Sequence, residues 1–230
     1  MMLDEKKIFS GILSGLFFAL VMVAPGEVSA EDNIDRIKSE LSSRDWKARL
    51  SAVEKLANHK DERSLNVLRE VAGTRSEYWP VKIKAILLLG EAQDPGAVEL
   101  LLSIFNDTFS NWECPSIKSY TALALGNFKG NGKVVDTLIS GVNDRELLTR
   151  EASIRSLGRI GDSKAVPHLV GLLGDPSIAI RLSVIKALGG IGDPQAIPQL
   201  QRILESDGDP LIKGEASAAL KNCHGKESNN

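Results

Sequence analysis

The sequence predicts an all-α fold, an α-α superhelix of stacked antiparallel helix pairs, and three observations predict it. The hexapeptide LGRIGD at residues 157–162 recurs as LGGIGD at 188–193, and looser copies place the same leucine, here called the anchor leucine, at four other positions. A basic residue stands seven positions before every anchor leucine. Apolar residues before the anchors recur at spacings of three and four, which indicates a helix face and not the alternation of a strand.

The anchor leucines define six units. They are Leu56, Leu89, Leu125, Leu157, Leu188 and Leu220, with gaps of 33, 36, 32, 31 and 32 residues. Such spacing is typical of repeat architectures in which each unit buries its apolar face only by stacking on its neighbours. Unit three is irregular, because its turn at residues 130–132 carries an extra residue and its lead-in is longer.

Each full unit is predicted to contain a first helix, a turn and a second helix. The first helix of unit five has its apolar face at Ile178, Leu182, Ile185 and Leu188. Gly161 and Gly192 lie where a helix end needs a left-handed residue. Aspartate follows each of them and can cap the next helix, and Pro95 and Pro194 occupy the first helical position. The second helix of unit four continues the pattern with Val166, Leu169, Leu172 and Leu173.

The two ends of the chain differ from the units. Residues 1–30 contain two lysines, an uncharged apolar run at 8–24 and small residues at Val28 and Ala30, which predicts a secretory signal peptide cleaved after Ala30. The alternative is a retained membrane anchor, although 17 residues are short for a spanning helix. We expect a capping helix at 31–43, a solenoid of five full units plus a terminal helix at 44–223, and a disordered tail at 224–230.

Composition excludes several classes of protein. The chain has 230 residues, of which 43% are hydrophobic and 25% charged, so most of its length is expected to fold. A net charge of −2 argues against a generic nucleic-acid binder. The three histidines fall in units one, four and six and predict no metal site, and no phosphate-binding loop or nucleophile motif is present.

The repeated pattern resembles the HEAT repeat, in particular the short bacterial variety also found in phycobilisome lyases. The pattern is a basic residue, small residues, Leu-Gly-x-Ile-Gly-Asp, then Ala-Val/Ile-Pro-x-Leu, and it is clearest from Arg150 to Leu173 and from Arg181 to Leu204. The resemblance covers residues 44–223. It implies an armadillo-like solenoid that serves as a binding scaffold without a cofactor. It also implies an alternative, an enzyme or enzyme subunit related to bilin lyases.

Two series of charged residues are expected to be structural. The basic series is Arg49, Lys82, Lys118, Arg150, Arg181 and Lys213, and the acidic series is Asp61, Asp94, Asp162 and Asp193. We expect each basic side chain to reach the acidic turn inside its unit, so that the two series neutralise each other and tie the units together. A ligand-binding stripe is the alternative interpretation of the basic series.

Two surfaces are candidates for partner binding. In HEAT arrays the second helices line the concave face, where the outward positions are Asn66, Glu70, Ser103, Thr137, Ser140, His168, Gly171, Gln199 and Arg202. This face is expected to be polar and nearly uncharged, and to suit a peptide. A possible aromatic edge consists of Tyr78, Trp79, Phe109 and Trp112, which we interpret rather as plugs between mismatched units.

The sequence therefore predicts a non-catalytic scaffold for protein-protein interaction, located in the periplasm or secreted. Its partner is expected to be another protein or an extended peptide segment in the same compartment, and not a nucleic acid. Membrane contact is expected only if the N-terminal segment is retained, in which case the protein is a membrane-tethered assembly factor.

Overall fold

The computed structural model describes residues 30–59, 61–107 and 114–227. These residues form twelve α-helices and three short 3₁₀ helices, with no β-strand among them. The first helices of the six units are α2 (Trp46–Leu56), α4 (Trp79–Glu91), α6 (Pro115–Leu125), α8 (Leu147–Ile160), α10 (Ile178–Ile191) and α12 (Pro210–Glu227). The second helices are α3 (Glu62–Gly73), α5 (Val98–Asn106), α7 (Gly132–Gly141), α9 (Val166–Val170) and α11 (Ile197–Ser206). Helix α1 (Ala30–Leu41) precedes them.

The helices form two layers. Each first helix packs against the first helix of the next unit, from α2 through to α12, while the second helices form the other layer. Helix α1 packs on α2 and α3 and covers the first unit. The anchor leucines of units one to five are fully buried between the layers, and together the buried side chains form one continuous core. The predicted all-α repeat superhelix is thus confirmed.

Local signals act at the turns inside the units as the sequence predicts. Gly161 and Gly192 end α8 and α10 with φ values of 79° and 65°. The side chains of Asp162 and Asp193 accept a hydrogen bond from the backbone N–H two residues later and so cap the 3₁₀ helices Ser163–Ala165 and Pro194–Ala196. In unit two the equivalent left-handed residue is Gln93, with φ 52°, and Asp94 caps the 3₁₀ helix Pro95–Ala97.

Close contacts between first helices explain the glycine after the anchor leucine. A Cβ atom added at Gly90 or Gly158 would lie 2.7 Å from the Cα atom of Ala124 or Ala187 in the next unit. Gly126 and Gly189 meet Ser156 and Ala219 in the same way. The Leu-Gly pair therefore combines a buried leucine with a backbone surface on which the next helix packs.

The basic series makes structural contacts, but the predicted partners are wrong. The side chains reach the turn between units and not the turn inside a unit. Five of them donate to backbone carbonyls that lie six or eight residues earlier, at or just beyond the end of the preceding helix: Arg49 to Ser43, Lys82 to Thr74, Arg150 to Val142, Arg181 to Asp175 and Lys213 to Glu205. The physical reason is helix length. Seven residues at a rise of about 1.5 Å place the basic residue roughly 10 Å before the anchor leucine, toward the opposite end of the first helix.

Three of the basic side chains also bind a carboxylate in the following turn. Arg49 Nη2 lies 2.7 Å from Glu77, Lys118 Nζ lies 2.6 Å from Asp144, and Arg150 pairs with Asp175. Burial would raise the pKa of Asp175, but the hydrogen bonds from Arg150 and from the Ser177 backbone N–H hold it below its ordinary value. These ion pairs tie the first helices of units one, three and four to the turn of the next unit. Asp61, Asp94, Asp162 and Asp193 cap helices instead.

Two elements differ in length from the expectation. Helix α9 ends at Val170, so Leu172 and Leu173 lie in the turn that follows, where Gly171 and Gly174 disfavour a longer helix. Helix α12 continues past Cys223 to Glu227, into the predicted disordered tail. Fully buried Cys223 holds this last part of the helix against the core, and a single glycine does not end it. Residues 228–230 and residues 1–29 of the predicted signal peptide lie outside the described residues, while its last residue, Ala30, is the first residue of α1. No described helix is both long and apolar enough to cross a membrane.

Candidate functional site

The second-helix face is the surface on which the predicted concave-face residues lie. Seven of the nine are exposed, namely Asn66, Glu70, Ser103, Ser140, His168, Gly171 and Arg202, and Thr137 and Gln199 are half-buried. The helix period explains this placement, because apolar residues on the opposite side, such as Val67, Leu101 and Leu138, are buried in the core. The structure thus brings the residues to one face of successive units.

This face carries more charge than the sequence suggested, and its charges are paired between units. Arg63 lies 3.1 Å from Asp35 of α1. Lys133 of α7 and Glu99 of α5 are 2.5 Å apart. Lys164 lies 2.5 Å from Asp136 of α7. These pairs could have been predicted from the sequence, because the two members of each pair are separated by about the length of one unit. Exposed pairs add about 0–1 kcal/mol each to stability, so their main consequence is a face with little net charge.

Arg69 is a residue of this face that the sequence analysis missed. Its Nε lies 2.6 Å from the Asp94 carboxylate, which is only 2% exposed, and its other nitrogens contact Glu62 and the amide oxygen of Asn66. The hydrogen bonds that the guanidinium donates to Asp94 and Glu62 raise its pKa above the usual value despite partial burial. Arg69 therefore holds the Asn66 side chain in place and joins α3 to the turn of unit two.

An asparagine or glutamine amide precedes an arginine by three residues at both ends of the face. The Asn66 amide oxygen accepts a hydrogen bond of 2.6 Å from Arg69, and the Gln199 amide oxygen accepts one of 3.2 Å from Arg202. Since each oxygen is engaged, the two NH₂ groups are the parts of the amides that remain to bind a partner. A cleft of about 340 Å³ at the ends of α3 and α5 is lined in part by Gly73, Leu100 and Ser103.

The aromatic edge is partly outside the described residues, because Phe109 and Trp112 fall in the gap at 108–113. Tyr78 and Trp79 are 41% and 45% exposed, so these two do not act as plugs. The Tyr78 ring instead packs in a tilted arrangement against Trp46 of unit one, at a centroid distance of 5.0 Å, and against Trp79 at 5.7 Å. Phe105, by contrast, is buried in the core under Lys118.

The histidines and cysteines do not converge on one site. His59 contacts the Asn33 side chain at 3.2 Å, while His168 and His224 are exposed in other units. Both cysteines are free thiols, Cys114 half-buried and Cys223 buried. In the part of the chain that the structure covers, no three histidine, cysteine or acidic side chains are grouped as a metal site would require.

Comparisons with solved structures place the fold. A designed armadillo repeat protein in complex with the peptide (KR)4 matches with a TM-score of 0.59 and 16% identity, covering 83% of this chain and 99% of its own. A computationally designed armadillo repeat protein for modular peptide recognition gives 0.57 and 18%, over 82% and 99% of the two chains. An engineered protein gives 0.56 and 19%, over 84% and 97%. These similarities concern the fold alone.

Sequence comparisons identify the family. Comparison with the curated proteins finds no match. The family model for HEAT repeats matches residues 34–112, 109–177 and 148–221, which together span nearly all the described units. The same units show the helix pairs, the two layers and the repeated Leu-Gly contact described above. The chain therefore belongs to the HEAT-repeat family.

Proposed function

We propose that this protein is a non-catalytic scaffold that binds another protein, through an extended segment of that protein, on the second-helix face. The observation that carries the proposal is the continuity of this face: exposed hydrogen-bonding side chains occur on or directly beside all five second helices, from Asn66 on α3 to Arg202 on α11. Arg63, Lys133 and Lys164 around them are paired with carboxylates, and the exposed Glu70 and Arg202 have opposite signs, so much of the face offers neutral donors and acceptors.

The amide groups give this face a way to recognise a peptide backbone. Arg69 and Arg202 engage the oxygens of Asn66 and Gln199, so each amide presents its NH₂ group as a donor. An extended chain has unpaired carbonyl groups at regular intervals, and such donors can satisfy them. Two of the similar folds named above are designed for peptide recognition or hold a peptide, which supports the same partner class.

Photo-crosslinking tests the proposed face. A photoreactive amino acid replaces Ser103 or Ser140 in the full chain, and Arg155, which is exposed on the other layer, is replaced as the control. We expect one partner to be captured from the native cells at the first two positions and not at the third. Equal capture at all three positions, or capture at Arg155 alone, would contradict the proposal.

The amides give a second, more specific test. Once the captured segment is known as a synthetic peptide, Asn66→Ala combined with Gln199→Ala is expected to weaken its binding about tenfold or more, since two hydrogen bonds are lost. Lys129→Ala combined with Lys221→Ala is the control, because both lysines are exposed away from this face. Equal affinity of the two double variants would show that the amides do not bind the peptide.

We also propose that the protein works outside the cytoplasm, on the strength of the apolar run at 8–24 and the small residues before Glu31. Mass spectrometry of the protein purified from its native cells tests this. A chain that begins at Glu31 supports export and cleavage. A chain that retains residues 8–24 favours the membrane-tethered alternative instead.

A further inference from the structure

A row of apolar side chains follows the turns between units. The described turns, at residues 42–45, 74–78, 142–146, 171–177 and 207–209, lie at one edge of the solenoid, the inter-unit edge, because the first helices run parallel to one another and begin there. The residue ten positions before the anchor leucine is apolar in all six units: Trp46, Trp79, Pro115, Leu147, Ile178 and Pro210. The period that builds the core thus also places an apolar residue at the start of every first helix.

Most of the large exposed apolar side chains among the described residues are at this edge. Eight large apolar side chains of the described residues are exposed. Six of them stand in or next to the first turn of a first helix and are 41% to 62% exposed: Tyr78, Trp79, Leu147, Leu148, Ile178 and Leu211. Of the remaining two, Tyr120 lies in the middle of α6, whereas Leu204 lies in the last turn of α11, three residues before Asp207. An apolar surface so concentrated on a soluble domain is typical of a binding surface.

The charges at the two ends of this edge are opposite. Around the turns of units one and two, Arg44, Lys47 and Arg75 are exposed and outweigh Asp45, since Glu77 is neutralised by Arg49. Near unit six, Asp207 and Asp209 accept only backbone N–H groups among the described residues. Their neighbours Glu205 and Lys213 cancel each other. The edge is therefore positive at its beginning and negative at its end.

We propose that the inter-unit edge binds a second copy of this chain, in a two-fold symmetric dimer with the two edges antiparallel. A two-fold axis pairs unit one with unit six and unit two with unit five, so the positive end of each copy meets the negative end of the other, twice. The most exposed leucines, Leu147 and Leu148 of unit four, then lie near the axis. This inference is independent of the proposed peptide-binding face.

The apolar area is sufficient for such a dimer. If the exposed parts of the six side chains, roughly 90 Å² each on the scale of 150–250 Å² for a whole aromatic side chain, are covered in both copies, about 1,000 Å² of apolar surface is buried. With the polar rim this reaches the size of a stable interface, about 1,200–2,000 Å². An anionic lipid surface would attract only the positive end of the edge and repel Asp207 and Asp209, so the charges favour the second copy.

Sedimentation equilibrium of the full chain tests the proposal. We expect a dimer whose dissociation constant rises about tenfold or more when Leu148→Ser and Leu211→Ser are combined. The control is Tyr120→Ser, which removes an exposed apolar group from the middle of α6 and leaves the dimer intact. A monomeric natural protein at every concentration overturns the proposal, and so does a dimer that the edge variant retains. Circular dichroism of each variant separates loss of association from loss of folding.

Charge reversal tests the antiparallel arrangement. Arg44→Glu with Arg75→Glu is expected to weaken the dimer. Mixing this variant with one that combines Asp207→Lys and Asp209→Lys is expected to restore association, because each reversed end then meets an end of opposite charge. Lys129→Glu with Lys221→Glu changes the net charge equally, away from this edge, and leaves the dimer unchanged. Binding of a monomer to phosphatidylglycerol vesicles that Leu148→Ser and Leu211→Ser abolish would overturn the proposal and assign the edge to lipid.

Discussion

Thr149 and Ser153 are fully buried on α8, and neither hydroxyl has a hydrogen-bond partner in the described part of the chain. The equivalent residues of unit five, Ile180 and Val184, are apolar. An unsatisfied buried hydroxyl costs about 1–3 kcal/mol, so unit four loses stability at two of its core positions.

Replacing these hydroxyls should therefore stabilise the protein. Thr149→Val and Ser153→Ala are each expected to raise the free energy of unfolding by about 1 kcal/mol. Ser156→Ala on the same helix is the matched control, since its Oγ donates a hydrogen bond of 2.8 Å to the Ala122 carbonyl and its loss should lower stability by a similar amount. Urea unfolding of the three variants measures the effect, and equal losses in all three would contradict the prediction.

The glycine after the anchor leucine gives a second prediction at this scale. Gly158→Ala places a Cβ 2.7 Å from the Ala187 Cα, so the first helices of units four and five must move apart, at a cost of about 1–3 kcal/mol. Gly214→Ala in α12 is the control, because it meets no atom within 4 Å and should gain about 0.5–1 kcal/mol of helix stability. Thermal unfolding should order the variants as Gly214→Ala, natural protein, Gly158→Ala.

At the scale of elements, the repeat period predicts positions well and contacts poorly. The unit boundaries, the left-handed Gly161 and Gly192, and the capping aspartates follow from local patterns that the sequence contains. The partners of Arg150 or Lys118 do not, because a fixed spacing states where a side chain begins on a helix and not which end of the unit it reaches. The opposite charges at the two ends of the inter-unit edge could not be predicted for the same reason, because the charged residues come together only when the helices are stacked.

The same ion pairs make stability depend on pH. The pKa values of Asp175 and Asp144 are lower in the folded protein than their ordinary value near 3.8. Burial alone would raise both pKa values, but the hydrogen bonds that Arg150 and Lys118 donate to the carboxylates lower them by more. A depressed folded pKa stabilises the protein above the unfolded pKa, and this contribution is lost as the pH falls through the folded value. Stability should therefore fall from about pH 5 downward.

Asp175→Asn tests this dependence. The amide cannot ionise, so the variant should lose about 1–3 kcal/mol at neutral pH and show a flatter fall in stability below pH 5. Asp136→Asn is the control, because its pair with Lys164 is exposed and contributes little. Urea unfolding at a series of pH values compares the two variants. An acid-induced loss in Asp175→Asn as steep as in the natural protein would contradict the assignment to this ion pair.

At the scale of the whole molecule, the stacked units imply that stability is a sum of neighbour contacts and not the property of one central core. Removal of residues 162–192 deletes one period and joins Gly161 to Asp193, which restores the LGRIGD motif. Gly158 then meets Ala219 as Gly189 does now. Arg150 loses its ion pair with Asp175, because Asp207, at the equivalent position one unit later, accepts only a backbone N–H among the described residues.

The shortened protein is therefore expected to fold as a helical solenoid that melts cooperatively at a lower temperature, since one inter-unit contact is lost. Removal of residues 162–177 is the control, because it deletes about half a unit. It joins two parallel first helices directly, without the antiparallel helix α9 that brings the chain back to the start of the next unit. That variant cannot stack its apolar faces and should lose most of its helical circular dichroism. If the two deletions melt alike, the units do not stack independently, and the additive description of this fold fails.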